Sequence, residues 1–320
     1  MSNSVFCLGL IGYPLQQSLS PRLHCAALEQ MGLQGEYRLY PVPPLPEGGT
    51  RLGEIIGSVR MGQILGLNVT IPHKQAVLPY LDLLTPQAQA IGAVNTIFCR
   101  EGVLTGDNTD APGFLSHLRG VLAEIDQSSG TADIDSQDRT ALVLGAGGAA
   151  RAVVYALWQA GWRVTVAARH PEQAKALVAS LQQSAAASGL AATSFVAIPL
   201  EASCLTDFIS LLVDRKSKGT HHQSEILVNA SSAGMLPDSD SCPWPDDLPF
   251  PEGWLVYDLV YKPPETTFLR RARAAGLPAV NGLGMLVEQA ALALERWTGL
   301  PVPRQAMWGA VGHYQERGIP

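Results

Sequence analysis

TALVLGAGGAAR, Thr140 to Arg151, is the stretch whose reading decides the fold. Thr140 to Leu144 is a short apolar run suited to a buried strand, and Gly145, Gly147 and Ala150 follow at GxGxxG/A spacing. Glycines there let the chain turn tightly and bring backbone N–H groups to a pyrophosphate at a helix N-terminus. A lone match of this kind is weak. Here a helix reads from Ala149 to Gln159 and a second strand from Trp162 to Ala168, so the turn sits in a strand–turn–helix–strand frame that favours a dinucleotide cradle over a turn with no ligand. An NAD site usually has an acid about 20 residues past the loop, whereas this second strand ends Ala167-Ala168-Arg169-His170. Arg169 is a planar, permanently charged fork suited to a 2′-phosphate, which favours NADP. The alternative is a solvated arginine at a strand end, with NAD as the cofactor.

Downstream, Glu225 to Asn229 reads as a strand, and Asn229 to Met235 is a small-residue loop at its carboxyl end, the side on which open α/β sheets bind ligands. Trp254 to Tyr261 reads as the last strand of this domain. Gln182 to Ser194, Asp214 to Ser224 and the Pro- and Asp-rich Leu236 to Gly253 read as loops or insertions. His221 and His222, adjacent and with no other ligand near in sequence, are expected to be solvated, and no metal site is expected. Asn281 begins a helix to about Trp297, and at about 100° per residue Gln289 falls between Met285 and Leu286. A polar side chain in that apolar surface needs partners, either in the core or on a substrate. Pro303 to Gln315 is a closing helix.

Upstream, Val5 to Ile11 reads as a buried strand ended by Gly12-Tyr13-Pro14. Ser20 is placed to cap a helix whose first residue is Pro21. Ser18 and Ser20, two residues apart in an extended segment, also point the same way beside that N-terminus, a seat for a carboxylate. Both readings can hold. Pro41 to Thr50 is a loop between a strand near Tyr37 and a helix over Leu52 to Met61. Leu67 to Ile71 alternates, placing Asn68 and Thr70 on one face of a strand and Leu67, Val69 and Ile71 on the other. Pro72 stops that strand and Lys74 lies just past its carboxyl end. An isolated lysine is usually solvated; one that follows two aligned polar groups is a candidate for chemistry. Pro79 to Gln89 reads as helical and Ile91 to Phe98 as a strand containing Asn95 and Thr96. Gly106 to Asp110 is a turn of acids and amides able to make Asx-turns, Phe114 to Leu122 is helical, and Gln127 to Arg139 is a polar surface loop.

At 320 residues, 47% hydrophobic and 16% charged, the chain is expected to form about two soluble globular domains. A formal charge of -6 with no run of Lys and Arg argues against a nucleic-acid surface, so small molecules are the expected partners. No apolar run reaches membrane-spanning length, and Val5 to Ile11 is too short and too soon broken for a signal peptide. Cys7, Cys25, Cys99, Cys204 and Cys242 are odd in number and form no CxxC pair, as expected of reduced thiols in a cytoplasm.

The strings IGYPLQQSLSPRLH (11–24), NVTIPHK (68–74), IGAVNT (91–96), GDNTDAPGF (106–114), GAGGAARA (145–152), NASSAGM (229–235), YDLVYKPPETTFL (257–269) and GLGMLVEQA (282–290) resemble, in that order, the successive motifs of the shikimate dehydrogenase family. The resemblance implies two α/β domains. One is an N-terminal substrate-binding catalytic domain, residues 1–110 and 281–320, to which the closing helices return; the other is a Rossmann-type doubly wound parallel-sheet nucleotide domain, residues 111–280. It implies catalytic Lys74 and Asp110, and substrate contacts at Ser18, Ser20, Asn68, Thr70, Asn95, Tyr261 and Gln289. Cofactor contacts are implied at Gly145, Ala146, Gly147, Gly148, Ala149, Arg169, Ser232, Leu259 and Gly282. The implied activity is reversible NADP-dependent reduction of 3-dehydroshikimate to shikimate, on the chorismate route to aromatic amino acids, by a cytoplasmic monomer or homodimer. A quinate/shikimate dehydrogenase using NAD, or a non-catalytic nucleotide or metabolite sensor on the same fold, are the alternatives. The chain departs from the family pattern at Cys25, where asparagine is usual, and at Pro86, in place of an acid. It departs again at Ala168, His170 and Gln173, where asparagine, threonine and a second basic residue are common.

Overall fold

A computed structural model describes residues 5–129, 139–187, 195–216 and 225–312, without the side chains of 126–129, 187 and 214–216. From the N-terminus the elements are β1 (Phe6–Gly12), α1 (Ser20–Gln30), β2 (Gly35–Pro41), α2 (Gly49–Arg60), β3 (Gly66–Val69), a 3-10 turn (Leu78–Tyr80), β4 (Leu83–Leu84) and α3 (Pro86–Ile91). Then come β5 (Thr96–Arg100), β6 (Val103–Asp107), α4 (Asp110–Ser129), β7 (Thr140–Leu144), α5 (Gly148–Gln159), β8 (Arg163–Ala168), α6 (Pro171–Ala187), β9 (Phe195–Pro199) and α7 (Ala202–Lys216). The last are β10 (Glu225–Asn229), β11 (Leu255–Asp258), α8 (Thr267–Ala274), β12 (Ala279–Val280), α9 (Leu283–Thr298) and α10 (Arg304–Val311). They fall in two compact units, one within Met1–His117 and Gly284–His313, the other within Leu118–Leu283. The division lies inside α4, seven residues beyond the 110/111 boundary expected, because one uninterrupted helix carries the chain from the first unit into the second.

The first unit holds a mixed sheet in the order β2-β1-β3-β5-β6-β4. β1 pairs parallel with β2 and β3, β5 runs antiparallel to β3 and β6, and β4 is parallel to β6. The carboxyl ends of β1, β3 and β6 and the start of β5 therefore share one sheet edge. Under the sheet, Ile55, Ile56 and Val59 of α2 pack with Ile11, Leu67, Val69 and Ile97. α10 packs on α1, so the C-terminal helices belong with the first sheet.

The second unit is a wholly parallel sheet in the order β12-β11-β10-β7-β8-β9. Counted within the unit and read from the far edge this is 3-2-1-4-5-6, the doubly wound order of the Rossmann fold. Strands β7 and β10 are buried throughout, as parallel strands covered on both faces must be. Leu142, Leu144, Leu227 and Val256 share a core with Trp244, Trp254 and Phe268.

Several local expectations are corrected. Ser20 lies inside α1 and not at its cap; Leu19 is the cap residue, and it is Ser18 whose Oγ accepts the Ser20 N–H, at 3.2 Å. Ile71 is 46% exposed, because β3 ends at Val69 and the alternation of that stretch no longer governs burial beyond it. Pro79 to Gln89 is no single helix. Pro79 and Pro86 each start a separate turn, Thr85 takes the extended conformation favoured before proline and caps α3, and Leu83–Leu84 pairs with β6. Gly92, at φ 68, ends α3, so Ile91 to Phe98 begins as a helix end and becomes strand only at Thr96. Residues 127–129 continue α4, 182–187 continue α6 and 214–216 continue α7. In α6 the alanines read as loop are the best helix formers. Residues 130–138, 188–194 and 217–224 of the three expected loops, His221 and His222 among them, lie outside the described residues. β12 follows β11 and is the last strand of its sheet.

Candidate functional site

Every loop at the shared edge of the first sheet carries polar residues singled out in the sequence. Ser18 follows β1, Lys74 follows β3, Asn95 precedes β5 and Asp110 follows β6. The turn that carries Lys74 is fixed by buried His73, whose Nε2–H donates to the Val42 carbonyl at 2.7 Å. Asp110 opens α4, where Asn108 Oδ1 caps the helix by accepting the N–H groups of Asp110 (3.1 Å) and Ala111 (3.2 Å). The Asx-turn expected of these residues is thus a helix cap.

Lys74 Nζ donates to Asp110 Oδ2 at 2.5 Å, with the two side chains 14% and 6% exposed. At so little exposure the pair is screened far less than a surface ion pair. Asp110 Oδ1 accepts from Asn95 Nδ2 at 2.9 Å. The same amide reaches Thr109 Oγ1 (2.9 Å) and Gln289 Oε1 (3.3 Å), and Asn95 Oδ1 accepts the Thr109 N–H at 2.7 Å. Gln289, buried in α9, also donates to the Leu286 carbonyl at 2.9 Å. Lys74, Asp110, Asn95 and Gln289 are therefore one hydrogen-bonded group, assembled from residues up to 215 apart in the chain.

Asn68 joins this group from beneath. Its Nδ2 donates to the Asn95 carbonyl (3.1 Å) and to Thr96 Oγ1 (3.3 Å), and its Oδ1 accepts from Tyr37 Oη at 2.8 Å. Both amide hydrogens of Asn68 are thus taken up by protein. Tyr37 stacks on His24 with ring centroids 4.3 Å apart. Complete burial holds the His24 imidazole down at about 3. Thr70, whose N–H donates to the Ile11 carbonyl, is half-buried, and Ser20 is buried. Tyr37, Thr96 and Thr109 had no site role in the sequence reading. The two threonines stand beside Asn95 and Asp110 in the same short strings, which is the signal that could have found them; Tyr37, 31 residues from Asn68, had none.

The remaining expected residues lie at the carboxyl edge of the second sheet: Gly145 to Ala149 after β7, Arg169 after β8, Ser232 after β10, Leu259 and Tyr261 after β11, and Gly282 after β12. Gly145 has φ +112, and a Cβ there would lie 3.0 Å from the Ser231 nitrogen. Gly147 caps α5 with no side-chain hydrogen bond, and open space lies where its Cβ would be. A helix N-terminus with bare N–H groups and room above it fits a pyrophosphate. Asn229 Oδ1 holds the next loop by accepting the N–H and Oγ–H of Ser231, while Nδ2 donates to buried Asp258. The Gly282 N–H donates to the Val260 carbonyl at 3.2 Å, joining the last two loops of that edge. Arg169 is exposed.

A Rossmann-ordered sheet with a bare glycine turn, on one chain with a sheltered lysine–carboxylate pair, defines a two-domain α/β oxidoreductase of the nicotinamide-dependent class. Residues 10–97 match the family model of the shikimate dehydrogenase substrate binding domain, and residues 282–311 that of the shikimate 5′-dehydrogenase C-terminal domain. Shikimate dehydrogenase (NADP(+)) of Salinibacter ruber is 40% identical over 305 residues, covering 94% of this chain and 95% of that one. That of Thermus thermophilus is 41% identical over 291 residues, covering 91% and 92%. The crystal structure of Thermus thermophilus shikimate 5-dehydrogenase in complex with NADP(H) and shikimate is similar at TM-score 0.70 and 39% identity, covering 97% of this chain and 100% of that one. Quinate dehydrogenase from Corynebacterium glutamicum in complex with NAD is similar at TM-score 0.75 and 28% identity, covering 97% and 99%. The chain belongs to the shikimate dehydrogenase family.

Proposed function

We propose that this chain is an NADP-dependent shikimate dehydrogenase, interconverting 3-dehydroshikimate and shikimate in the chorismate route to aromatic amino acids. The observation that carries this is the Lys74–Asp110 pair, sheltered at a sheet edge and held by the Asn95 amide. The nicotinamide, when bound, would supply the hydride as NADPH in reduction and accept it as NADP+ in oxidation. As the substrate carbonyl becomes an alkoxide, the Lys74 ammonium stabilises the developing charge and gives up a proton to that oxygen. In the reverse direction the Lys74 amine takes the hydroxyl proton. Asp110 holds Lys74 in place and accepts a hydrogen bond from a ring hydroxyl. Asn95, Thr70 and Gln289 read the other hydroxyls, and Ser18, Ser20 and Tyr261 hold the carboxylate. Asn68, with its amide hydrogens committed to Asn95 and Thr96, supports the group from below. The backbone from Gly145 to Ala149 would hold the pyrophosphate, Arg169 the 2′-phosphate, and Ser232, Leu259 and Gly282 the remainder of the dinucleotide.

The chain acts as a monomer or homodimer in the cytoplasm. Among the described residues no helix is long and apolar enough to cross a membrane. A second reading, quinate oxidation with NAD, draws on the neutral Ala168 beside Arg169 and on the likeness to a quinate dehydrogenase in complex with NAD. Steady-state assays with shikimate or quinate and each nicotinamide in turn, followed by absorbance of the reduced cofactor, separate the two. Highest kcat/KM is expected with shikimate and NADP; highest kcat/KM with quinate and NAD selects the second reading. No turnover with either acid would leave the sensor alternative.

A further inference from the structure

Asp107, the last residue of β6, has no role in the steps above, yet its side chain is 2% exposed and completely engaged. Oδ1 accepts from Thr85 Oγ1 (2.7 Å) and from the Asn108 N–H (2.8 Å), and Oδ2 accepts from Arg296 Nε (2.8 Å). A carboxylate so placed is stable only because a cation and two donors replace its water. Thr85 is the cap of α3 and Arg296 stands on α9, so Asp107 ties both helices to the turn that delivers Asp110. Its backbone carbonyl accepts the Asn95 N–H at 3.1 Å, and Asn95 in turn holds Asp110 Oδ1. Asn108, whose N–H is fixed by Asp107, caps the helix that begins at Asp110. Arg296 lies seven residues after Gln289 on the same face of α9, so the helix face that meets Asn95 also meets Asp107. The outer side of Arg296, whose side chain is 54% exposed, lines a cavity of about 210 Å³ together with Arg100, Thr109, Leu292 and Glu295.

We propose that Asp107 and Arg296 form a latch that positions Asp110, and through it Lys74, for hydride transfer. They are positioning residues: they act through the Asp107–Asp110 turn and touch neither substrate nor cofactor. The inference rests on Lys74 and Asp110 being the catalytic pair. With the latch closed, the turn presents Asp110 Oδ2 to Lys74 in one geometry; with it open, the turn has the freedom of an ordinary loop. A displacement of about 1 Å in a reacting group can cost on the order of 10²-fold in rate.

The test compares wild type, Arg296→Ala, Arg296→Lys and Asp110→Asn in shikimate oxidation with NADP. Arg296 is half-exposed, so Arg296→Ala is expected to fold, and circular dichroism with a melting curve checks that it does. Its kcat per folded molecule should fall roughly 10- to 100-fold while KM for NADP stays within about twofold; the rate is normalised to the folded fraction because loss of folded protein alone lowers apparent kcat at constant KM. Arg296→Lys should recover part of the rate. Low-millimolar guanidinium, admitted by the cavity, should recover part of it in Arg296→Ala and none in Asp110→Asn. Wild-type kcat in folded Arg296→Ala, with Asp110→Asn inactive, overturns the latch alone. Wild-type kcat in Asp110→Asn overturns the catalytic pair and the latch with it. A lower melting point in Arg296→Ala with unchanged kcat per folded molecule makes the ion pair structural only and also overturns the latch.

Discussion

Arg169 has two duties open to it and a simple way to choose between them. It is exposed at the end of β8, where no acid stands to bond ribose hydroxyls. Removing a charge-assisted fork from a phosphate should cost roughly 10- to 100-fold in binding. Arg169→Ala should therefore lower the ratio of kcat/KM for NADP over NAD by about that factor, chiefly through KM for NADP. An unchanged ratio would show that Arg169 does not read the phosphate. At this scale the sequence was informative where side chains lie in short strings: Lys74, Asn95 and Asp110 come from three such strings and meet in one group. It was silent where the partner is distant and generic. Arg296 looks like any helix-surface cation until the fold sets it against Asp107, 189 residues away. Asn68, expected as a substrate contact, also bonds Asn95 and Thr96, partners that its own string of sequence does not reveal.

At the level of elements, the crossing of α4 and α9 carries the group around Asn95. Gly113 makes it possible: a Cβ there would lie 2.7 Å from the Gln289 nitrogen and 2.9 Å from its Cα. Backbone cannot step aside as a flexible side chain would, so Gly113→Ala should destabilise by about 1–3 kcal/mol and should move Gln289 relative to Asn95. Urea denaturation checks the first effect, and a wild-type midpoint would show that the helices part without strain. Strands of uniform apolar character, such as β7 and β10, were legible because burial on both faces leaves a continuous signal. The stretch from Pro79 to Phe98 was not, because a 3-10 turn, a two-residue strand and a short helix are too brief for periodicity to distinguish.

Across the molecule as a whole, folding keeps two of the described histidines neutral. Burial lowers His24 from 6.5 to about 3, and burial outweighs the attraction of Glu288 to lower His117 to about 4. Below pH 6.5 the unfolded chain takes up a proton at each position and the folded chain does not, so unfolding gains as pH falls. The stability at stake is fully present above pH 6.5 and is lost progressively through about pH 4 for His117 and about pH 3 for His24. While both differ in protonation the slope is about 2.7 kcal/mol per pH unit, or about 1.4 for each histidine. Urea midpoints should fall between pH 6.5 and pH 5, and His24→Phe should flatten the fall; equal midpoints at both pH values would contradict the neutral burial of these rings. The glycine turn and its flanking elements pointed to a dinucleotide cradle, and the family resemblance implied the Rossmann-type sheet that carries it. The mixed order of the first sheet was not legible, because antiparallel β5 between β3 and β6 leaves no mark in composition.

The proposed chemistry stands on the Lys74 amine, and its removal is the most direct test. In shikimate oxidation at saturating NADP, Lys74→Ala should lower kcat on the order of 10²- to 10⁴-fold with a smaller change in KM for shikimate. Turnover near that of wild type in a folded Lys74→Ala protein would contradict it.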